Sequence, residues 1–128
     1  MLESRVLRDS NEFNIPYGND YGYEAMYFGV NLILMLEYRL SFDVNVMEGD
    51  DIEVLIVTRK DFERWKNNDN VQNVYQKKDR RINDVFVPAL SDSYVFILNN
   101  RYSDMMKKVN IALTHSWKQE IKSHQDQG

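Results

Sequence analysis

Residues Leu36 to Val46 read Leu-Glu-Tyr-Arg-Leu-Ser-Phe-Asp-Val-Asn-Val, and the alternation is strict. Leu36, Tyr38, Leu40, Phe42, Val44 and Val46 fall on one side of an extended chain, and Glu37, Arg39, Ser41, Asp43 and Asn45 on the other. A period of two over that length cannot give a helix a continuous apolar stripe, because helical positions recur every ~3.6 residues. The run predicts an antiparallel strand with one wet face, long and bent or broken once. Met47-Glu48-Gly49-Asp50-Asp51 supplies a turn, with Gly49 free to take a positive φ. Ile52 to Thr58 is β-branched and almost wholly apolar, as in a strand covered on both faces. The two segments are expected to form a hairpin.

The same reading extends along the chain. Glu12 to Ile15 predicts an early edge strand stopped by Pro16-Tyr17-Gly18, and Tyr21 to Leu36 carries one or two more strands. Lys60 to Asn67 reads as a short helix, with Asp61 as its cap and Phe62 and Trp65 on one side. Asn67 to Arg81 is polar and reads as a long exposed loop with one short strand around Val71 to Tyr75. Strands are expected at Asn83–Pro88 and Ser93–Leu98, then a loop at Asn99–Asp104. Lys107 to His115 alternates again and reads as an edge strand opened by Lys107 and Lys108. The sum is an all-β chain: one antiparallel β-sandwich of roughly seven to eight strands with a helical turn near 60–67. Its core spans about 12–116 and a polar tail runs over 118–128.

Composition narrows the function classes. With 128 residues, a single domain is expected. There is no cysteine, so neither a disulfide nor a thiolate nucleophile or metal ligand is available. Five glycines form no phosphate-cradling loop. A formal charge of −4 argues against a nucleic-acid binder, which needs concentrated Lys and Arg. The charged residues at 1–9 do not read as a signal peptide, and Gly29 to Leu36 is too short to span a bilayer. A cytoplasmic protein without disulfides, or a soluble piece of a surface protein, is expected.

Four groups of side chains carry chemistry. His115 with Ser103 or Ser116 would be needed for nucleophilic catalysis, but no Gly-x-Ser-x-Gly elbow accompanies them, and His115 reads as a rim residue. Glu48, Asp50, Asp51 and Glu53 crowd one turn without the spacing of a calcium loop, so no metal is expected there. Lys77-Lys78-Asp79-Arg80-Arg81, beside Tyr75, is the only basic run and reads as a solvated loop. Tyr17, Tyr21, Tyr23 and Tyr27 cluster among turn residues, where tyrosines offer apolar area with a hydroxyl handle. The spacing places Tyr21, Tyr23 and Tyr27 on one strand face.

The C-terminal block Val85-Phe86-Val87-Pro88, Ser93-Tyr94-Val95-Phe96-Ile97-Leu98-Asn99-Asn100-Arg101-Tyr102-Ser103 and Lys107-Lys108-Val109 resembles the last strands of the GOLD (Golgi-dynamics) domain. There an aromatic strand runs into Asn-x-Tyr/Phe-Ser, and Lys-Lys-Val opens the final strand. Asp61-Phe62-Glu63-Arg64-Trp65 is similar to a turn in related prokaryotic sandwiches. Asp92-Ser93 stands where the family commonly has Gly, and Asn99 where it commonly has Asp. The resemblance implies a β-sandwich for protein or lipid-surface interaction, without cofactor or catalytic set. Asn99 and Asn100 would fix the turn into the last hairpin, and Arg101 and Tyr102 would pack over the sheet edge.

The leading expectation is therefore a non-enzymatic interaction module that binds a protein partner, with a lipid surface and self-association as further options and nucleic acid excluded. Its candidate binding residues are Tyr17, Tyr21, Tyr23, Tyr27, Arg101 and Tyr102, together with the polar strand face from Glu37 to Asn45. The rivals are a carbohydrate- or small-ligand-binding sandwich using the tyrosines and a small hydrolase using His115.

Overall fold

The alternating run forms β3 (Leu36–Glu48), its apolar side buried from Tyr38 to Val46 and its polar side outward. The strand is irregular at two places: its register with its neighbour shifts between Leu36 and Arg39, where Glu37 takes φ 54°, and again between Val46 and Glu48. The computed structural model describes residues 1–121. The other elements are β1 (Leu2–Ile15), β2 (Tyr23–Val30), β4 (Ile52–Thr58), α1 (Arg59–Lys66), β5 (Tyr75–Asp79), β6 (Arg81–Phe86), β7 (Asp92–Asn99) and β8 (Lys107–Glu120).

They form two antiparallel four-stranded sheets, ordered β1-β8-β3-β6 and β2-β7-β4-β5. The expected all-β sandwich is what the chain builds. Every connection except β4 to β5 passes from one sheet to the other, which is the winding of a jelly roll. Between the sheets lies the main core. Leu40, Phe42, Val44, Ile82, Val109 and Ile111 come from the first sheet, and Ile52, Val54, Ile56, Phe96 and Leu98 from the second. Complete burial of one such side chain contributes about 1.5–3 kcal/mol.

The second sheet is covered on both faces, which explains the unbroken apolar run of β4. Its outer side chains Leu55 and Val57, with Val95 and Ile97 of β7, pack under Phe62 of α1. The helix starts where Thr58 Oγ1 accepts the Asp61 N–H at 3.2 Å. Thr58 is thus the cap, not Asp61, because the helix begins one residue earlier than the apolar spacing indicates.

Several expected features differ. β3 and β4 do not form a hairpin: they lie in different sheets, and Gly49–Asp51 is a corner between layers. Gly49 takes φ 113°, and a Cβ there would come within 2.8 Å of the Lys107 side chain. β7 and β8 likewise join different sheets, so the Asn99–Asn100 turn is a crossover and not a hairpin. β8 is flanked by β1 and β3, so Lys107 and Lys108 open an interior strand and protect no edge. The basic run is no long loop either: Lys77 and Lys78 lie in β5, Arg80 makes the corner, and Arg81 opens β6. The short strand expected around Val71 to Tyr75 begins only at Tyr75. Lys118 to Glu120 of the expected tail belong to β8, and 122–128 lie outside the described residues.

β1 is much longer than the expected Glu12–Ile15 strand. It pairs with β8 from Leu2 through Ile15 without a register shift. Ser4 to Glu12 are exposed on both faces, so their side chains carry no alternation to read. Backbone pairing alone makes that segment a strand.

Candidate binding surface

The crossing connections gather four loops at one end of the sandwich: 16–22, 49–51, Arg80 and 100–106. Two buried polar side chains brace them. Asn100 is fully buried, and its Nδ2 donates to the Pro16 and Met105 carbonyls, each at 2.9 Å, and to Ile15 O at 3.4 Å. Its backbone N–H donates to Gly22 O at 2.6 Å. Gly22 is required here, since a Cβ would lie 2.9 Å from the Arg101 Cα. Lys107 is 1% exposed, and its Nζ donates to the Asp51 carbonyl, with the Asp51 carboxylate 3.6 Å away. Burial lowers the Lys107 pKa, opposed by the nearby carboxylates of Asp51 and Asp50.

Arg101 and Tyr102 reach different partners from this frame. The Arg101 guanidinium lies over the Trp65 ring, 4.4 Å from its centroid. It donates to the Trp65 and Lys66 carbonyls at 3.0 and 3.1 Å, and to Asn19 and Asn68 Oδ1 at 2.8 and 2.7 Å. These bonds satisfy the open carbonyls at the end of α1 and pin the helix to two loops. Tyr102 donates to Asp51 Oδ1 at 2.9 Å, and Lys78 Nζ sits 3.7 Å from its ring centroid. Burial alone would raise the Asp51 carboxyl. The Tyr102 hydroxyl and the charges of Lys78 and Lys107 outweigh it and hold the group below its usual range.

On this braced end Tyr17, Tyr21, Tyr102, Met47, Met105 and Met106 are exposed. A shallow depression of about 330 Å³ opens beside them, between Trp65, Asn68, Asp69, Arg101, Tyr102 and Asn19. Four of the six expected binding residues thus share one end of the molecule. Tyr23 and Tyr27 do not join them. They lie on the outer face of β2, edge-on to Phe62 at 6.0 and 5.8 Å, with Arg59 5.4 Å from the Tyr27 centroid. Tyr21 sits in the turn before β2, so the expected common face of Tyr21, Tyr23 and Tyr27 is not formed. Met47, Met105 and Met106 were not among the sequence candidates. The signal for the last two is an apolar pair inside an otherwise polar loop.

The other candidates fall elsewhere. His115 points inward at the far end of β8, where its Nδ1 is hydrogen-bonded to the Tyr38 hydroxyl and its ring meets Phe28 at 5.6 Å. Burial lowers its pKa, while the charge of Asp9 opposes the shift. Ser116 faces the opposite side of the sheet, and Ser103 lies before β8, ~26 Å away along the strand. The structure brings neither serine to His115.

Among the described residues, no three His, Cys, Asp or Glu side chains converge as metal ligands. Glu53 instead accepts from Asn99 and Gln76, both at 2.8 Å. Tyr75, expected beside the basic run, packs edge-on to Phe42 and donates to Asp84 at 2.8 Å, so its face is not offered to a base. The polar face of β3 forms the outside of the first sheet, where a depression of about 420 Å³ lies between Ser10, Glu12, Asp43, Asn45, Asn110 and Ala112. Asp43 Oδ1 is enclosed there and accepts no hydrogen bond among the described residues.

No described helix is long and apolar enough to cross a membrane. No family model matches the chain, and no curated protein matches it either.

Proposed function

We propose that this chain is a non-enzymatic interaction module, a GOLD-like β-sandwich that binds a protein partner through its braced loop end. The observation that carries the reading is the pairing of a rigid frame with exposed anchors. Asn100, Lys107 and Arg101 fix the loops from within, while Tyr17, Tyr21, Tyr102 and three methionines face outward. Tyrosine and methionine are enriched where proteins meet, since they bring large contact areas. A frame already ordered saves the entropy that a mobile loop would lose on binding.

The test is affinity capture with cross-linking, comparing the unaltered chain, the variant Tyr17→Ala/Tyr21→Ala/Met106→Ala, and Ser41→Ala/Asn45→Ala on the polar sheet face. The exposed loop-end side chains can be truncated without opening the core. The expected result is loss of the cross-linked partner with the first variant and its retention with the second. Equal capture by all three chains refutes the loop-end assignment.

The depression between Trp65 and Tyr102 supports a second reading. Its aromatic rings flank the amides of Asn19 and Asn68, a combination that suits a small polyhydroxylated ligand. Trp fluorescence titrated with a panel of saccharides tests it, and flat titrations throughout exclude it.

A further inference from the structure

The two sheets of a sandwich have four edges, and three of them are shorter than the fourth here. β5 is five residues long and carries Lys77 and Lys78. β6 is six residues long, with Pro88 two residues beyond it. β2 is eight residues long. β1 differs on every count. It runs for 14 residues without a proline, a lysine or a register shift against β8. From Ser4 to Glu12 both faces are open as well as the edge, and Leu2, Val6 and Leu7 are exposed along it. A long unbroken edge of this kind presents a row of unpaired backbone donors and acceptors, which natural sheets normally cover or interrupt.

We propose that β1 pairs antiparallel with β1 of a second copy of this chain, with Leu7 on the two-fold axis, joining two first sheets into one continuous eight-stranded sheet. The charge pattern selects the occupant and the register. With Leu7 opposite Leu7, Arg5 faces Asp9 of the second copy and Asp9 faces its Arg5. Ser4 faces Ser10, Glu3 faces Asn11 and Val6 faces Arg8. No like charges stand opposite one another, and directly opposed unlike charges stabilise a strand pair.

Neighbouring registers are worse. Centring on Arg8 sets Arg8 against Arg8, and centring on Asp9 sets Asp9 against Asp9. Centring on Ser10 draws in Ile15, which is fully buried and whose carbonyl already receives Asn100 Nδ2. The contact uses Leu2–Glu12, the part of β1 leading away from the loop end, so it stands independently of the partner-binding reading above.

Light scattering over a range of concentrations on the full chain reads the association directly, and a dimer is expected. Arg5→Asp places like charges opposite twice and should weaken the dimer about tenfold. Arg5→Asp/Asp9→Arg restores the complementarity and should return the affinity. Because the chain has no cysteine, Leu7→Cys supplies a single thiol at the axis and should oxidise rapidly to a disulfide-linked dimer, while Ser10→Cys should not. A chain that stays monomeric throughout overturns the proposal. So does a dimer indifferent to Arg5→Asp, or one that cross-links through Ser10→Cys in place of Leu7→Cys.

Discussion

Replacing Asn100 by Ala removes the side chain that ties the 16–22 and 100–106 loops together. Three carbonyls converge on its Nδ2, while its Oδ1 is enclosed and has no partner among the described residues, which also settles the orientation of the amide. The three acceptors are not equivalent. Met105 O keeps Ser103 Oγ at 3.3 Å, and the Ile15 contact is long at 3.4 Å. Pro16 O suffers most, since among the described residues Asn100 is its only donor. Each hydrogen bond lost costs about 0.5–1.5 kcal/mol, and the small cavity left by truncation of the buried Asn100 adds to it. The expected loss is therefore ~2–3 kcal/mol, a large share of the ~5–15 kcal/mol typical of a domain. Calorimetry should show the midpoint falling by ~6–12 °C, and urea unfolding should give the same loss. Asn100→Asp preserves the shape but brings a carboxylate against those carbonyls. Its pKa in the folded state must rise above the unfolded value of ~3.9. The penalty is therefore greatest near neutral pH and shrinks as pH falls toward 4. A loss below ~0.5 kcal/mol for Asn100→Ala, or an Asn100→Asp penalty that does not shrink with acid, would refute the bracing role.

Arg101→Lys keeps the charge but gives up the planar fork that reaches two carbonyls and two amides. It should cost ~1–2 kcal/mol in urea unfolding and shift the Trp65 emission, and an unchanged unfolding curve contradicts the helix-pinning role. The His115 imidazole, monitored by NMR, should titrate below 6.5, since burial disfavours its charged form. The unfolded chain then takes up this proton first, so stability falls as pH drops below ~6.5 and levels off once the folded imidazole titrates. Tyr38→Phe removes the hydroxyl bonded to Nδ1 and should shift the midpoint; a midpoint at or above 6.5 in the unaltered chain overturns this account.

The sandwich was legible wherever one face of a strand was wet and the other dry. β3 is readable from Leu36 onward for that reason, and the double covering of β4 from its apolar run. β1 was readable only near Phe13 and Ile15, because the side chains from Ser4 to Glu12 meet solvent on both sides. The turn residues around Gly49 announce a reversal but not whether the chain returns within its own sheet or crosses to the other. That choice depends on distant packing, including the Lys107 side chain lying beneath Gly49. Lys107 shares the parity of Val109 and Ile111 and turns inward, where the Asp51 carbonyl and carboxylate and the Tyr102 hydroxyl make a buried ammonium tolerable. The tyrosines separated because nearness along the chain is not nearness in space. The turn at 18–22 sends Tyr17 and Tyr21 to the loop end and Tyr23 and Tyr27 to the helix-covered face.

The strand order also dictates when this molecule can assemble on the ribosome. β8 sits between β1 and β3, yet it is the last of the described strands in chain order. Until it emerges, β1 has no partner in its sheet and β3 has only β6. The second sheet, made of β2, β4, β5 and β7, is complete earlier and can gather under α1 first. The nascent chain therefore has to hold a half-built layer, with the apolar side of β3 uncovered along one margin, through the synthesis of everything between them. Closure then waits on a pairing between the two most distant strands, a contact order that slows folding and lengthens the time at which a chaperone or a neighbouring nascent chain can intervene.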